Sequence, residues 1–211
     1  MTKTLEAASI FIAAAVTAAC ISTTGNSGLD TAETIFPINN PAPEGTLELL
    51  DGFEEENFWQ AMDGAKGGGY SIDTDTTEEW STEGDFCAQW SFAKIPEGAE
   101  AAFTTENPAQ KDWTHAKALT ADINNTCQNP LAVAIETQGG PCHTASRTQE
   151  VLIGIGENIN VYFDLLHGIT DISGNSVSGL TEKEDIRSIS FLIKGKSFSG
   201  SILVDNINLV Y

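Results

Sequence analysis

From Leu47 to Tyr211, apolar residues recur in short alternating runs bounded by Gly, Asn, Asp and Pro. A period of two puts successive side chains on opposite faces of a strand, and no part of this span keeps a helical period. The clearest runs are 86–92, 119–123, 131–137, 159–165, 186–194 and 201–210. In the first, Phe86, Ala88, Trp90 and Phe92 share one face, and Cys87, Gln89 and Ser91 share the other. In the last, Ile202 and Val204, continued by Asn206, alternate with Leu203, Asp205 and Ile207. Asn129-Pro130 marks a hairpin between the second and third runs, and Gly139-Gly140-Pro141 opens a long loop reaching Gln149. The segment 181–185 makes at most one helical turn. Many short strands between turn clusters predict an all-β domain, a sandwich or barrel.

The N-terminus follows a different pattern. Residues 9–20 form an apolar run of twelve behind Lys3. This is shorter than the roughly 20 residues that span a bilayer, and it has the small-residue ending of a secretory signal. Its end, Val16-Thr17-Ala18-Ala19-Cys20, resembles the lipobox of bacterial lipoproteins. That resemblance implies cleavage before Cys20 and acylation of its thiol. An ordinary secretory signal cut near Ala19 is the alternative. Residues 21–45 carry a Ser-Thr-Thr-Gly-Asn-Ser-Gly stretch and then Pro37, Pro41 and Pro43, a composition suited to an extended tether. The expected organisation is a signal over 1–19, a linker over 20–45 and one domain over 46–211. The expected location is the outer membrane or cell surface as a lipoprotein, otherwise periplasmic or extracellular. Membrane contact would come only through lipid on Cys20.

Charge narrows the partners. The 211 residues include 10 Lys+Arg against 30 Asp+Glu, a formal net charge of -20. Nucleic acid is excluded, because phosphate neutralisation needs clustered base, and an anionic bilayer surface is disfavoured for the same reason. Beyond Cys20, Cys87, Cys127 and Cys142 allow a single disulfide and one leftover thiol. The pair 127–142 is slightly favoured over 87–142, and the spacing has no zinc pattern. His115, His143 and His167 are scattered, and Gly174–Ser178 lacks the closing Gly of a nucleophile elbow. No carboxylate pair stands in a glucanase strand pattern. Catalysis is not indicated.

Two segments at opposite ends of the domain read together. One is Leu49-Leu50-Asp51-Gly52-Phe53-Glu54, then Trp59, then Ser81-Thr82-Glu83-Gly84. The other is Ile186-Arg187-Ser188-Ile189-Ser190-Phe191, then Gly200-Ser201-Ile202-Leu203-Val204-Asp205-Asn206-Ile207-Asn208-Leu209. Lys111-Asp112-Trp113 ahead of 119–123, and the run 158–165, stand between them. In this order they resemble the β-jelly-roll carbohydrate-binding modules, most closely family 11 and related β-glucan-binding modules, over residues 47–211. The resemblance implies a jelly-roll, galactose-binding-like β-sandwich with its N- and C-terminal strands side by side. It also implies a structural calcium, with Glu54 and Asp205 at the motif's acidic positions and Glu83 and Asp73 as additions. Calcium takes six to eight oxygen ligands. The alternative is that Glu54 and Asp205 simply accept backbone hydrogen bonds. Where the family's strand ends in a cleft-facing Tyr, this chain has Ile193, and Arg187 stands where an acidic residue is usual.

Sugar-binding clefts combine aromatic faces with a few polar groups. Trp80, Trp90, Tyr162 and Arg147 are the candidates; Tyr70, Trp113 and His143 are also available. Trp90 fits core and cleft equally, whereas Trp59 matches a core position. The expected function is non-catalytic binding of a polysaccharide or oligosaccharide by an exported, lipid-anchored module, serving carbohydrate-active enzymes on other chains. The alternatives are a surface interaction or structural lipoprotein that no longer binds sugar, and, less favoured, a small polysaccharide-active enzyme.

Overall fold

The computed structural model describes residues 35–55, 59–62, 71–97, 99–106, 108–167, 179–194 and 198–211. The expected signal, Cys20, the first part of the linker and Tyr70 lie outside them. Twelve strands occur among the described residues. They are β1 (Leu47–Asp51), β2 (Gln60–Met62), β3 (Ser71–Thr77), β4 (Cys87–Ile95), β5 (Glu100–Glu106) and β6 (Ala118–Asn125), followed by β7 (Leu131–Gly139), β8 (Thr144–Arg147), β9 (Val151–Ile153), β10 (Gly156–Asp164), β11 (Ile186–Lys194) and β12 (Phe198–Val210). They form two antiparallel sheets. The first runs β10-β6-β12-β4-β3, with β1 also on β12; the second runs β2-β5-β11-β7-β8, with β9 also on β7.

The thirteen-residue β12 organises the first sheet. Its first half pairs with β4, its last residues pair with β1, and β6 lies along its other side. The terminal strands are therefore neighbours, as the resemblance implied.

Alternation decides what is buried. Ala88, Trp90 and Phe92 of β4 point inward with Ile202 and Val204 of β12, to meet Phe103 of β5 and Phe191 and Ile193 of β11. The Trp90 ring stacks on Phe103 at 4.8 Å between centroids, and Phe191 meets Trp59, Trp90 and Phe163 edge-on at 5.5, 5.1 and 5.9 Å. Fully burying one such side chain contributes about 1.5–3 kcal/mol.

Several expectations need correction. Asn129-Pro130 is not a hairpin: β6 and β7 belong to different sheets, and the segment carries the chain between them. The Asn125 side chain shapes this crossing by accepting the Cys127 amide at 3.0 Å and donating to the Asn129 carbonyl at 3.1 Å. Past Gly140 the chain turns at once into β8, which pairs back on β7, so a hairpin replaces the expected long loop. In β12 a bulge between Asp205 and Asn208, with Asn206 at φ 52°, shifts the alternation. Ile207 consequently faces the core with Ile202 and Val204 rather than opposing them. Ile193 also points into the core; the outward residue beside it is Leu192.

Residues 38–40, within the segment whose composition suits a tether, contact β10. Asn39 bridges Ile159 in parallel, and the Asn40 amide donates to the Ile159 carbonyl while the Ile159 amide donates to Ile38. Buried Asn158 holds this segment by accepting the Ile38 amide at 2.8 Å, and it also bonds the carbonyls of Ile123, Gly154 and Gly156. The backbone N–H and C=O of Ile159, on the outer edge of β10, are thereby paired.

Candidate glycan-binding face

Removing the inward residues of the second sheet leaves its outer face, which reads as rows crossing the strands. One row is Gln60, Thr104, Ser190, Glu136 and Arg147, linked by strand register. The Thr104 and Ser190 hydroxyls hydrogen-bond at 2.7 Å. The next row is apolar: Met62, Ala102, Leu192 and Ala134. Beyond it come Glu100, Lys194, Ala132 and Leu152. On the other side, Glu106, Ser188 and Gln138 continue into a pocket of about 290 Å³ with Lys111, His143, Asp185 and Arg187.

Ion pairs tie this face together. Arg147 makes a forked contact with Glu100 at 2.7 and 3.2 Å and a third hydrogen bond to Glu136 at 3.0 Å. Lys194 reaches Glu100 at 3.0 Å and also Glu150. Burial would raise the Glu100 carboxyl, but hydrogen bonds from Arg147 and Lys194 outweigh it and hold the group below the usual carboxylate range. Burial would likewise lower Lys194, yet Glu150 and Glu100 raise it.

The Arg147–Glu100 contact also reports the shape of the sheet. β5 and β8 are three strand spacings apart, about 14 Å, and the two residues lie four positions apart along the strands, about 13 Å. On a flat sheet that diagonal of roughly 19 Å exceeds what an extended arginine and glutamate can bridge. The face must be dished for the 2.7 Å contact to close.

The four predicted sugar contacts do not meet. Trp90 is wholly buried between the sheets and cannot present a ring to a ligand. Trp80 is half-buried in the loop after β3, on one edge of the first sheet, whereas Tyr162 lies on β10 at the opposite edge, 43% exposed. Arg147 alone lies on the dished face. Trp113 is buried too, its ring nitrogen donating to the Gln110 carbonyl at 3.0 Å. No aromatic ring lies on this face among the described residues. Gln60, Glu100, Glu136 and Lys194 were missed; the alternation of 131–137 and 186–194 placed Glu136 and Lys194 on strands, but only strand order makes them neighbours.

The expected calcium ligands are engaged otherwise. Asp205 accepts the amides of Thr82 and Glu83 at 2.6 and 2.8 Å through one oxygen, and its other oxygen accepts the Asn206 amide. Glu54 accepts the amides of Asp85 and Phe86 at 2.7 and 2.8 Å, an approach opened by Gly84 at φ 67°. Asp122, beside Asp205, accepts the Asn160 amide, the Thr82 hydroxyl and the Asn206 side-chain amide. Glu83 has one buried oxygen with no donor. Asp73 is two strands across from Asp205 and four residues along, exposed on β3. Among the described residues no three His, Cys, Asp or Glu side chains gather as a metal shell. Glu54 and Asp205 thus clamp loop 81–86 through N–H donors, the alternative to calcium ligation, while the buried Glu83 oxygen is left without a donor.

The expected disulfide does not form either. Cys127 and Cys142 lie beyond opposite ends of β7, whose nine residues extend about 30 Å, far beyond disulfide reach. Cys87, Cys127 and Cys142 are all free thiols. Burial pushes Cys87 and Cys127 up to about 11.

A cavity of about 690 Å³ opens where β1 meets the end of the second sheet, walled by Leu49, Trp59 and Ile189 with Asp51, Glu83 and Glu106. Asp51 is raised, chiefly by burial, and accepts the Trp59 ring N–H at 2.8 Å.

No protein-family model matches the chain, and no curated protein matches it. Solved structures do. The family 11 carbohydrate-binding module of a cellulosomal cellulase of Clostridium thermocellum is similar at TM-score 0.57 and 15% identity, covering 80% of this chain and 96% of that one. A family 11 module of Clostridium thermocellum in complex with a β-1,3-1,4-mixed-linked tetrasaccharide gives TM-score 0.56 and 18% identity, covering 78% and 95%. A family 28 module specific for non-crystalline cellulose gives 0.51 and 13%, covering 83% and 97%. Residues from β1 to β12 thus adopt the antiparallel β-sandwich fold of carbohydrate-binding modules.

Proposed function

We propose that this chain binds a polysaccharide or oligosaccharide without cleaving it, on the dished outer face of the second sheet. The observation that carries this reading is the face itself. Hydroxyl, amide and charged side chains (Gln60, Thr104, Ser190, Glu136 and Gln138) line a concavity continuous with the His143 pocket. Such groups exchange hydrogen bonds with sugar hydroxyls. The modules of like fold support the same reading. A net charge of -20 disfavours polyanions and supports a neutral polymer.

The state of Glu100 supports binding without hydrolysis on this face. A general acid needs a raised carboxyl pKa, and Glu100 is shifted the other way by its cations. Export and lipid attachment at Cys20 belong to the same proposal, and would place the module at the cell surface beside carbohydrate-active enzymes. Metabolic labelling with a fatty-acid analogue tests that part: the label should disappear in Cys20→Ala.

Affinity electrophoresis in gels containing glucan, xylan or mannan tests the binding. The chain should be retarded by at least one polymer. Glu136→Ala and Gln138→Ala should each weaken that retardation about tenfold, equivalent to about 1.4 kcal/mol. A face without an aromatic ring among the described residues favours the second reading, a surface interaction protein. No retardation on any polymer, together with a co-purifying protein partner, selects it.

A further inference from the structure

The apolar row on the outer face is buried although nothing in the sheet lies above it. Ala102, Leu192 and Ala134 are 9%, 6% and 2% exposed, while Met62 at the end of the same row is 45% exposed. The line from Arg147 on β8 to Glu100 on β5 crosses β7 between Glu136 and Ala132 and β11 between Ser190 and Lys194. It therefore passes over Ala134 and Leu192. With its head held by Glu100 and Glu136, an arginine stem laid along this line would cover the apolar surface beneath it.

We infer that the Arg147–Glu100 bridge is a displaceable strap over a hidden subsite, the row Ala102–Leu192–Ala134, which takes the apolar side of a sugar ring. This rests on the glycan-binding reading and adds how the site opens. Exposed apolar side chains on the face stand only at its margins, Met62 and Leu152, and the row supplies apolar contact at its centre, across three strands. The bridging side chains are only partly buried, Arg147 27% and Glu100 25% exposed. Ion pairs so placed are weak and screened by salt. Loss of the bridge leaves Arg147 paired with Glu136, swung back over β8, and the row uncovered. A subsite open only part of the time lowers apparent affinity by its open fraction, so holding it open raises affinity.

Thiol reactivity in the full chain reads the strap without any ligand. Ala134→Cys is placed in a background of Cys20→Ala and Cys142→Ser, which removes the N-terminal thiol and the exposed one, whereas Cys87 and Cys127 are buried with raised thiol pKa values. Iodoacetamide reacts with the thiolate, so each rate is taken at the plateau of its pH profile, where it reports access alone. Labelling at position 134 should be slow and should quicken several-fold as NaCl rises to about 1 M. Adding Glu100→Gln should make it about tenfold faster and independent of salt. Ala102→Cys provides a second position should Ala134→Cys misfold. Equal rates with and without Glu100→Gln, or a slow rate that salt leaves unchanged, overturn the strap.

On a retarding polysaccharide, Glu100→Gln should bind about tenfold more tightly than the parent. Weaker binding would make Glu100 a plain ligand contact and overturn the gate. If no polymer retards the parent, the glycan-binding reading fails while the labelling rates still decide the strap. If a polymer retards it and the rates do not respond, the strap fails and the reading stands.

Discussion

Single side chains set much of the chemistry, and Trp90 illustrates how. Its ring is stacked on Phe103 and flanked by Trp59 and Phe191, so it is core rather than cleft. Trp90→Ala should cost about 3–5 kcal/mol in chemical unfolding. Glu100 sets part of the acid response. Its carboxyl is held below its ordinary value of 4.5, so its contribution is present above 4.5 and is lost as pH falls through the lower folded value. Lys194 is raised above 10.5, so its share is full below 10.5 and fades as pH rises through the higher folded value. Asp51, raised chiefly by burial, opposes Glu100 in acid: its contribution is present below 3.8 and lost as pH rises through its raised value. Glu100→Gln should therefore flatten the fall in melting temperature between about pH 5 and about pH 3. An unchanged acid limb would show that the bridge adds nothing to stability.

Among the elements, strands with clean alternation were legible and those shaped by pairing were not. β4, β7, β11 and β12 carry their own periodicity, and their core faces were apparent from residues such as Trp90 and Phe92. β3, with Ser-Ile-Asp-Thr-Asp-Thr-Thr, and β8, with Thr-Ala-Ser-Arg, are polar edge strands whose order comes from their neighbours. Bulges escaped notice because they depend on backbone: Asn160 and Asn206, at φ 50° and 52°, flank Asp122 on both sides of β6. The clamp on loop 81–86 belongs to this scale. Asp205→Ala should leave the Thr82 and Glu83 amides without their acceptor and cost about 2–3 kcal/mol, with hydrogen exchange quickening in 81–86 ahead of β6. Loss of exchange protection across the whole chain to the same extent would instead mean that the loop is no separate unit. Because N–H donors already engage Glu54 and Asp205, the melting midpoint should be the same in EDTA as in calcium. A midpoint that rises by several degrees with calcium would overturn this account of Glu54 and Asp205.

For the whole molecule, the acidity has acquired an arrangement. Arg147 and Lys194 lie on the outer face of the second sheet, with Lys111 and Arg187 at its end, so much of the scarce positive charge faces the proposed ligand side. The end motifs 49–54 and 201–209 revealed the sandwich because they are strand sequences that pair with each other. They could not reveal the site, whose residues come from β2, β5, β7, β8 and β11 and meet only through sheet order. The most direct measurement is amide chemical-shift mapping during titration with a soluble oligosaccharide of the polymer that retards the chain. Shifts gathered on Thr104, Glu136, Gln138, Ser190 and Leu192 are the result predicted. Shifts gathered on Trp80 or Tyr162 of the first sheet, or none at saturating sugar, would contradict the assignment of the dished face.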